Sequence, residues 1–253
     1  MKRVFVILLI LFCAGVVKAS PKPVYHWNKL DKGVLYTKFS FEPEEDRRTI
    51  IHAFQLDPNE VKFQIVLANS DQPQGETAKN MAKQEKANLV INGGFFTPEH
   101  KSIGLLVNDG KVLNPLHKTS WWSIFVLKNN QPSIVTPKEY QFSQQIQLAI
   151  QAGPRLVIDG FIPKLKEGLA ARTAIGITGS GKVVLLVTDG TPISLTELAK
   201  RMKMSRYKGG LECANAMALD GGGSSQLYAN IDKFEISLPG VTTVTNGIAV
   251  FTH

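Results

Sequence analysis

The chain has 253 residues, a formal net charge of +8, 43% hydrophobic and 20% charged residues. This is ordinary globular composition, which excludes collagen-like, disordered and disulfide-scaffold classes. The length suits one large domain with a substantial core.

Lys2 and Arg3 open the chain, and Val4 to Val17 follow without a charge, mostly aliphatic. Val17-Lys18-Ala19 then places small residues ahead of Ser20. A basic start, a short apolar core and such a cleavage site predict a signal peptide over residues 1–19. The apolar run falls short of the ~20 residues that span a membrane. Bulky Phe12 before Cys13 argues against a lipoprotein site. The expectation is an exported chain, in a bacterial periplasm or secreted, with no membrane span after cleavage. Losing the three basic residues of the leader leaves a net charge of +5. Only Cys213 would remain, so no intrachain disulfide is expected.

Residues 20–33 are aperiodic, and residues 20–49 read as an N-terminal lead-in to a domain over 50–253. Arg48 to Leu56 and Val61 to Ala68 are β-branched runs split by the turn Asp57-Pro58-Asn59. Glu76 to Ala87 carries helical spacing at Ala78, Met81, Ala82 and Glu85. Leu89 to Ile91 reads as a buried strand running into Asn92-Gly93-Gly94-Phe95-Phe96. Three hairpins are signed by their turns: Asn108-Asp109-Gly110, Asn129 to Pro132, and Gly179-Ser180-Gly181. Their predicted strands are Ile103–Val107 with Lys111–Leu113, Trp121–Leu127 with Ser133–Val135, and Arg172–Thr178 with Lys182–Thr188.

Ser194-Leu195-Thr196-Glu197 is a capping box, and Leu195, Leu198 and Met202 make the apolar stripe behind it. Ala216 to Leu219 predicts a strand ending at Asp220-Gly221-Gly222-Gly223-Ser224-Ser225, and Gln226 to Tyr228 and Gly247 to Phe251 predict two more. The sum is an α+β domain: a strand-rich mixed-sheet core with antiparallel hairpins and a few flanking helices.

Several motifs point to bland roles. Gly176 to Gly181-Lys182 nearly spells a phosphate loop, but Val183 stands where Ser or Thr is needed, and a strand follows. No Gly-x-Ser-x-Gly elbow surrounds Ser224 or Ser225. Histidines 26, 52, 100, 117 and 253 lack metal-ligand spacing. Lys200, Arg201, Lys203, Arg206 and Lys208 read as a solvated helix end, or more sharply as a patch for an anionic polymer. Nucleic acid is disfavoured by export and by the lack of aromatics among these basics. Cys213, in an apolar stretch, reads as a buried small hydrophobe.

The glycine-rich segments at 92–96 and 220–225 are different. Each follows a strand, and consecutive glycines serve where backbone approaches a ligand or turns N–H groups into one concavity. A carboxylate, an amide and hydroxyls beside such turns suggest acid–base chemistry on a phosphate-bearing ligand.

These segments, with Arg172-Thr173-Ala174-Ile175-Gly176 and Thr188-Asp189-Gly190, resemble the phosphodiester glycosidase family, in the family's order over roughly residues 50–253. The resemblance implies a hydrolase that cuts the bond between a sugar's anomeric carbon and a phosphodiester, here a carbohydrate phosphodiester such as an envelope glycan or sugar-phosphate polymer. It implies Asp220 or Asp189 as nucleophile, base or oxocarbenium stabiliser, and Asn92 on sugar hydroxyls or water. Arg172, Thr173, Gly93, Gly94, Gly221, Gly222, Gly223, Ser224 and Ser225 would bind substrate. Arg155, after Gly153-Pro154, is a further basic candidate. No cofactor is required, although aspartates beside glycine turns can hold Ca²⁺. The contrasting reading is a non-catalytic envelope protein that binds a glycan or anionic polymer. A degenerate binder should have lost a carboxylate or the arginine, and Asp189, Asp220 and Arg172 are all present.

Overall fold

A computed structural model of the chain describes residues 22, 24–69, 71 and 73–252. The expected signal peptide lies outside the described residues.

In chain order the first strands are β1 (Asn28–Asp31), β2 (Val34–Glu44), β3 (Arg47–Leu56) and β4 (Lys62–Leu67), followed by helix α1 (Ala78–Glu85) and β5 (Leu89–Asn92). Then come β6 (Leu106–Asn108), β7 (Lys111–Asn114), β8 (Ser123–Lys128), β9 (Gln131–Val135), β10 (Ile146–Ala152) and β11 (Arg155–Val157). The last part holds β12 (Thr173–Thr178), β13 (Val183–Gly190), helix α2 (Leu195–Lys203), β14 (Cys213–Ala218), β15 (Leu227–Ile231), β16 (Phe234–Leu238) and β17 (Asn246–Phe251).

The strands form three sheets, in the orders β1-β2-β3-β13-β12-β14-β11, β7-β6-β10-β8-β9 and β16-β15-β5-β17-β4. The strand pairings are antiparallel, so the mixed sheet expected from sequence is not what forms. The protein is mostly β. Its two described α-helices are short, eight and nine residues, so the α+β expectation fits only loosely.

The seven-stranded sheet is buried on both faces. Alternation along each strand sends Phe54, Leu185, Ile175 and Met217 to one side, into a core shared with the other two sheets. Ala53, Leu186, Ala174 and Ala216 face the other side, against Leu198 and Met202 of α2. The residues expected as a lead-in contribute β1 and β2, and β2 pairs with β3 from Val34 to Phe41. The alternation there is hard to read from sequence because both faces are filled: Val34 and Tyr36 enter one core, Phe39 the other. β10 and β16 carry no strong turn signal and were not expected. β10 is an apolar run at the centre of its sheet, between β6 and β8.

The near-phosphate loop is the β12–β13 turn, with Ile177 opposite Val183. Lys182 pairs there with Asp57 at 2.5 Å. Ser194 caps α2 by accepting the Glu197 N–H at 3.1 Å. Arg201 in that helix bonds Glu197 and lies over the Phe41 ring, which fits a structural helix end for part of the basic run. Cys213 is buried, and burial pushes its thiol well above the ordinary range.

Candidate active site

The chain crosses from the seven-stranded sheet to the β15 sheet through Asp220–Ser225, and β5 delivers Asn92 beside that crossing. Asn92 is fully buried. Its Nδ2 donates to the Asp220 carbonyl at 2.8 Å, and its Oδ1 accepts from Thr173 Oγ1 at 2.7 Å and from the Gln226 N–H at 3.1 Å. Thr173 Oγ1 also lies 3.1 Å from Ser225 Oγ. Asn92, Thr173 and Ser225 therefore form a buried clamp between sheets. The sugar or water contact expected of Asn92 is not available to so enclosed a carboxamide, so it positions the turn.

Gly93 and Gly94 belong to the same clamp. Gly93 N–H donates to the Asn246 carbonyl at 3.0 Å, and Gly94 N–H to Asn246 Oδ1 at 2.7 Å. A Cβ on Gly93 would lie 2.1 Å from Asn246 Oδ1. These glycines are required by packing, and their amides are used inside the protein instead of on a ligand.

Asp220 follows β14 through Leu219. Its N–H donates to the Gly93 carbonyl at 3.0 Å. Its carboxylate accepts the Gly221 N–H at 2.9 Å and a bond from Ser224. Burial pushes the carboxyl above its ordinary range, and those two bonds only partly offset the effect. Gly222 takes φ of +61° and donates its N–H to the Ala171 carbonyl at 2.8 Å. Gly222 to Ser224 make one 3-10 turn, and Ser224 is buried. Two of the three glycine amides are thus already engaged, so the expected phosphate nest is not formed by Gly221 and Gly222. Gly223 gives its carbonyl to the Val241 and Thr242 N–H groups.

Asp220, Gly221 and Gly222 line a cavity of about 730 Å³. Arg172 lines it as well. Its Nε donates to the Ile193 carbonyl at 2.9 Å and its Nη2 to the Gly168 carbonyl at 2.6 Å. Two of five N–H donors are then used, which leaves three for a ligand. Burial lowers the guanidinium pKa from its usual value, and a guanidinium remains charged at physiological pH. The cavity also contains Phe95 of the glycine-rich segment, Leu195 of the α2 stripe, and three side chains of a stretch to which sequence assigned nothing, Lys164, Leu165 and Lys166, together with Trp121. Trp121 was expected inside a strand. β8 begins two residues later, and Trp121 lies 57% exposed at the cavity, its ring centroid 6.3 Å from that of Phe95.

Of the expected residues, Asn92, Gly93, Gly94, Thr173, Gly223, Ser224 and Ser225 adjoin the turn without lining the cavity, and two more lie elsewhere. Asp189 is exposed at the end of β13, where it accepts the Gly190 N–H at 2.8 Å and does not line the cavity. Alternation explains this: Thr188 is the residue whose hydroxyl accepts the Arg172 N–H, so Asp189 points to the opposite face. There its charge acts on His52. Arg155 is separated in the same way. Pro154 faces the cavity, while Arg155 donates to Asn215 Oδ1 at 3.0 Å in a different hollow beside Glu139 and Asp159. Among the described residues no three His, Cys, Asp or Glu side chains cluster as metal ligands.

Two buried amides were missed. Gln226 accepts the Ala78 N–H at 2.6 Å through Oε1 and donates to the Thr242 and Ser224 carbonyls, tying α1 to the glycine turn. Asn246 donates to Ser102 and Thr245 while holding Gly94. Gln226 follows Ser224-Ser225 and Asn246 follows a threonine-rich stretch, and nothing but their burial sets them apart.

Comparison with known proteins follows the same lines. Over 93% of its length the chain resembles the catalytic domain of zebrafish N-acetylglucosamine-1-phosphodiester alpha-N-acetylglucosaminidase, a structure auto-inhibited by its pro-peptide. The match covers 86% of that domain at a TM-score of 0.66 and 17% identity. A hypothetical protein from Synechocystis matches 92% of the chain and 64% of its own, at a TM-score of 0.61 and 15% identity. These likenesses establish the fold. The uncharacterized protein YigE of Escherichia coli (strain K12) is 26% identical over 118 residues, which are 42% of this chain and 46% of that protein, so the match spans less than half of that relative. The sequence model of the phosphodiester glycosidase family matches residues 85–251, more than half of the chain and all of the segment that builds the cavity, and the chain belongs to that family.

Proposed function

We propose that the chain is an exported hydrolase that cleaves the bond between a sugar's anomeric carbon and a phosphodiester. The observation that carries this reading is the sharing of one cavity by Asp220 and Arg172. A carboxylate meets the positive charge that develops on the sugar, and a cation meets the charge that develops on the departing phosphate. Export rests on the basic start and apolar run of residues 2–17.

Phosphate is a good leaving group, so the C1–O bond breaks with little need for a strong acid. Asp220 is the one carboxylate on the lining among the described residues. With its carboxyl raised by burial it is, once ionised, a stronger base than an exposed carboxylate. It takes a proton from water as the oxygen attacks C1. Arg172, held from behind by two carbonyls, presents its remaining N–H groups to the phosphate oxygens. Trp121 offers a face on which one sugar ring stacks. Water supplies hydroxyl to C1 and a proton to the released phosphate monoester.

The test is a screen of the purified protein against aryl and alkyl phosphodiesters of several sugar 1-phosphates, with Asp220→Asn as control. Release of free sugar by the wild type and its loss in the variant are expected. No release from any member, with the protein folded, overturns the reading.

A further inference from the structure

The cavity walls bear on what lies beyond the phosphate. Its charged side chains are Asp220, Arg172, Lys164 and Lys166. Among the described residues the lining holds no Asn, Gln, Ser, Thr, His or Tyr side chain. A second sugar would bring several hydroxyls into this space, where the Trp121 indole N–H is the one neutral side-chain hydrogen-bonding group among the described lining residues. The rest of the wall is apolar, including Leu165, Leu195, Leu219 and Phe95.

Trp121 is 57% exposed on the lining itself. A wall that is apolar and carries an exposed aromatic suits an apolar ligand. Lys164 and Lys166 complement a phosphate at the same mouth.

We propose that the alcohol on the far side of the phosphate is a long-chain lipid, so that the substrate class is a sugar 1-phosphodiester of a lipid alcohol. This rests on the glycosidase reading above and deepens it. Arg172 and the two lysines take the phosphate, Trp121 and Asp220 take the sugar, and Leu165, Leu195 and Leu219 with Phe95 take the chain. Hydrolysis breaks the C1–O bond; water gives hydroxyl to the sugar and a proton to the phosphate, which leaves as the lipid phosphate monoester.

Two measurements test it. The first compares hydrolysis of matched pairs, in which each of several hexose 1-phosphates is esterified with n-octanol or with glycerol. The octyl esters should show kcat/KM at least ~10-fold higher, a modest share of what a buried eight-carbon chain can supply. The second measures binding of octyl phosphate, below its micelle concentration, and of methyl phosphate by calorimetry. Octyl phosphate should bind at least ~10-fold more tightly, Leu165→Ser should weaken the octyl compound selectively, and Lys164→Glu with Lys166→Glu should weaken both. Equal hydrolysis of both esters, or no gain in affinity from the octyl chain, overturns the lipid assignment and leaves the glycosidase standing. Hydrolysis of neither ester, with tight and Leu165-dependent octyl phosphate binding, removes the glycosidase and supports the ligand class.

Discussion

Asn92 Nδ2 donates to the Asp220 carbonyl at 2.8 Å, while the Asp220 N–H donates to the carbonyl of Gly93, the neighbour of Asn92, at 3.0 Å. This reciprocal pair joins the end of β5 to the end of β14 and fixes where the Asp220 carboxylate points. Asn92→Ala would leave Thr173, the Gln226 N–H and the Asp220 carbonyl each short of a partner in a closed interior. Such losses cost about 1–3 kcal/mol apiece when water cannot replace them. The variant should lose roughly 3–5 kcal/mol in urea unfolding, and activity per folded molecule should fall as well. Wild-type stability would remove Asn92 from the clamp.

Arg172→Lys keeps the charge and loses the fork. Lysine cannot reach the Ile193 and Gly168 carbonyls and also present a planar pair of donors to phosphate. Turnover should drop ~10²-fold, the scale of a lost transition-state donor. Stability should fall too, by roughly 1.5–3 kcal/mol for a charged hydrogen bond. Denaturation with turnover per folded molecule unchanged would make the arginine purely structural.

The parts of this architecture that sequence conveys are those with a local signature. The β12–β13 hairpin is announced by Gly179-Ser180-Gly181, and α2 by its capping box, because turns and caps are chemistry within a few residues. The two glycine segments and Arg172 are legible as a site, although the glycines serve packing more than ligand contact. Asp189 and Arg155 are misplaced because one step along a strand reverses the face, and no motif records which way the side chain turns. Lys164, Lys166 and Trp121 join the cavity through a loop and a strand start whose path depends on the whole fold.

The glycines themselves separate two kinds of requirement. A methyl on Gly93 meets Asn246 Oδ1 at 2.1 Å and Ile150 Cδ1 at 3.0 Å, and Asn246 is held by Ser102, Thr245 and Gly94. A methyl on Gly222 meets nothing within 4 Å, so only its φ of +61° resists substitution. Gly93→Ala should therefore lose roughly 3 kcal/mol as an overpacked site, and Gly222→Ala about 1–2 kcal/mol for the left-handed backbone. Urea midpoints in the reverse order would contradict the packing argument.

His52 gives the protein a sensitivity to mild acid. The ring is 2% exposed, Nδ1 lies 2.9 Å from the Tyr36 hydroxyl, and Nε2 has no protein partner among the described residues. Burial and then Lys38 push its pKa down to about 4, against a smaller opposing pull from Asp189. The folded state therefore resists a proton that the unfolded chain accepts near pH 6.5. The stability is intact above that pH and is lost as pH falls from about 6.5 towards 4, at up to about 1.4 kcal/mol per pH unit. His52→Gln should flatten this part of the stability profile, and an unchanged slope would assign the acid sensitivity to other groups.

Asp220 should behave in the opposite sense, and this gives the sharpest test of its role. Its folded pKa is raised, chiefly by burial. A carboxyl of this kind favours the fold when protonated, so its contribution is full below the unfolded carboxylate range and is lost as pH rises through the raised value. Asp220→Asn replaces the carboxylate by a neutral group of the same size that still accepts the Gly221 N–H. The variant should be at least as stable as wild type where the wild-type carboxyl is ionised, and should lack the wild type's loss of stability as pH rises through the raised value. Turnover should nevertheless fall by at least ~10²-fold, the usual scale for a lost acid–base group. The acidic limb of the wild-type pH–rate profile should lie above the ordinary carboxylate range and vanish in the variant. A variant that is less stable at pH 7, with turnover within a few-fold of wild type, would make Asp220 a turn-capping residue and leave the cavity without its base.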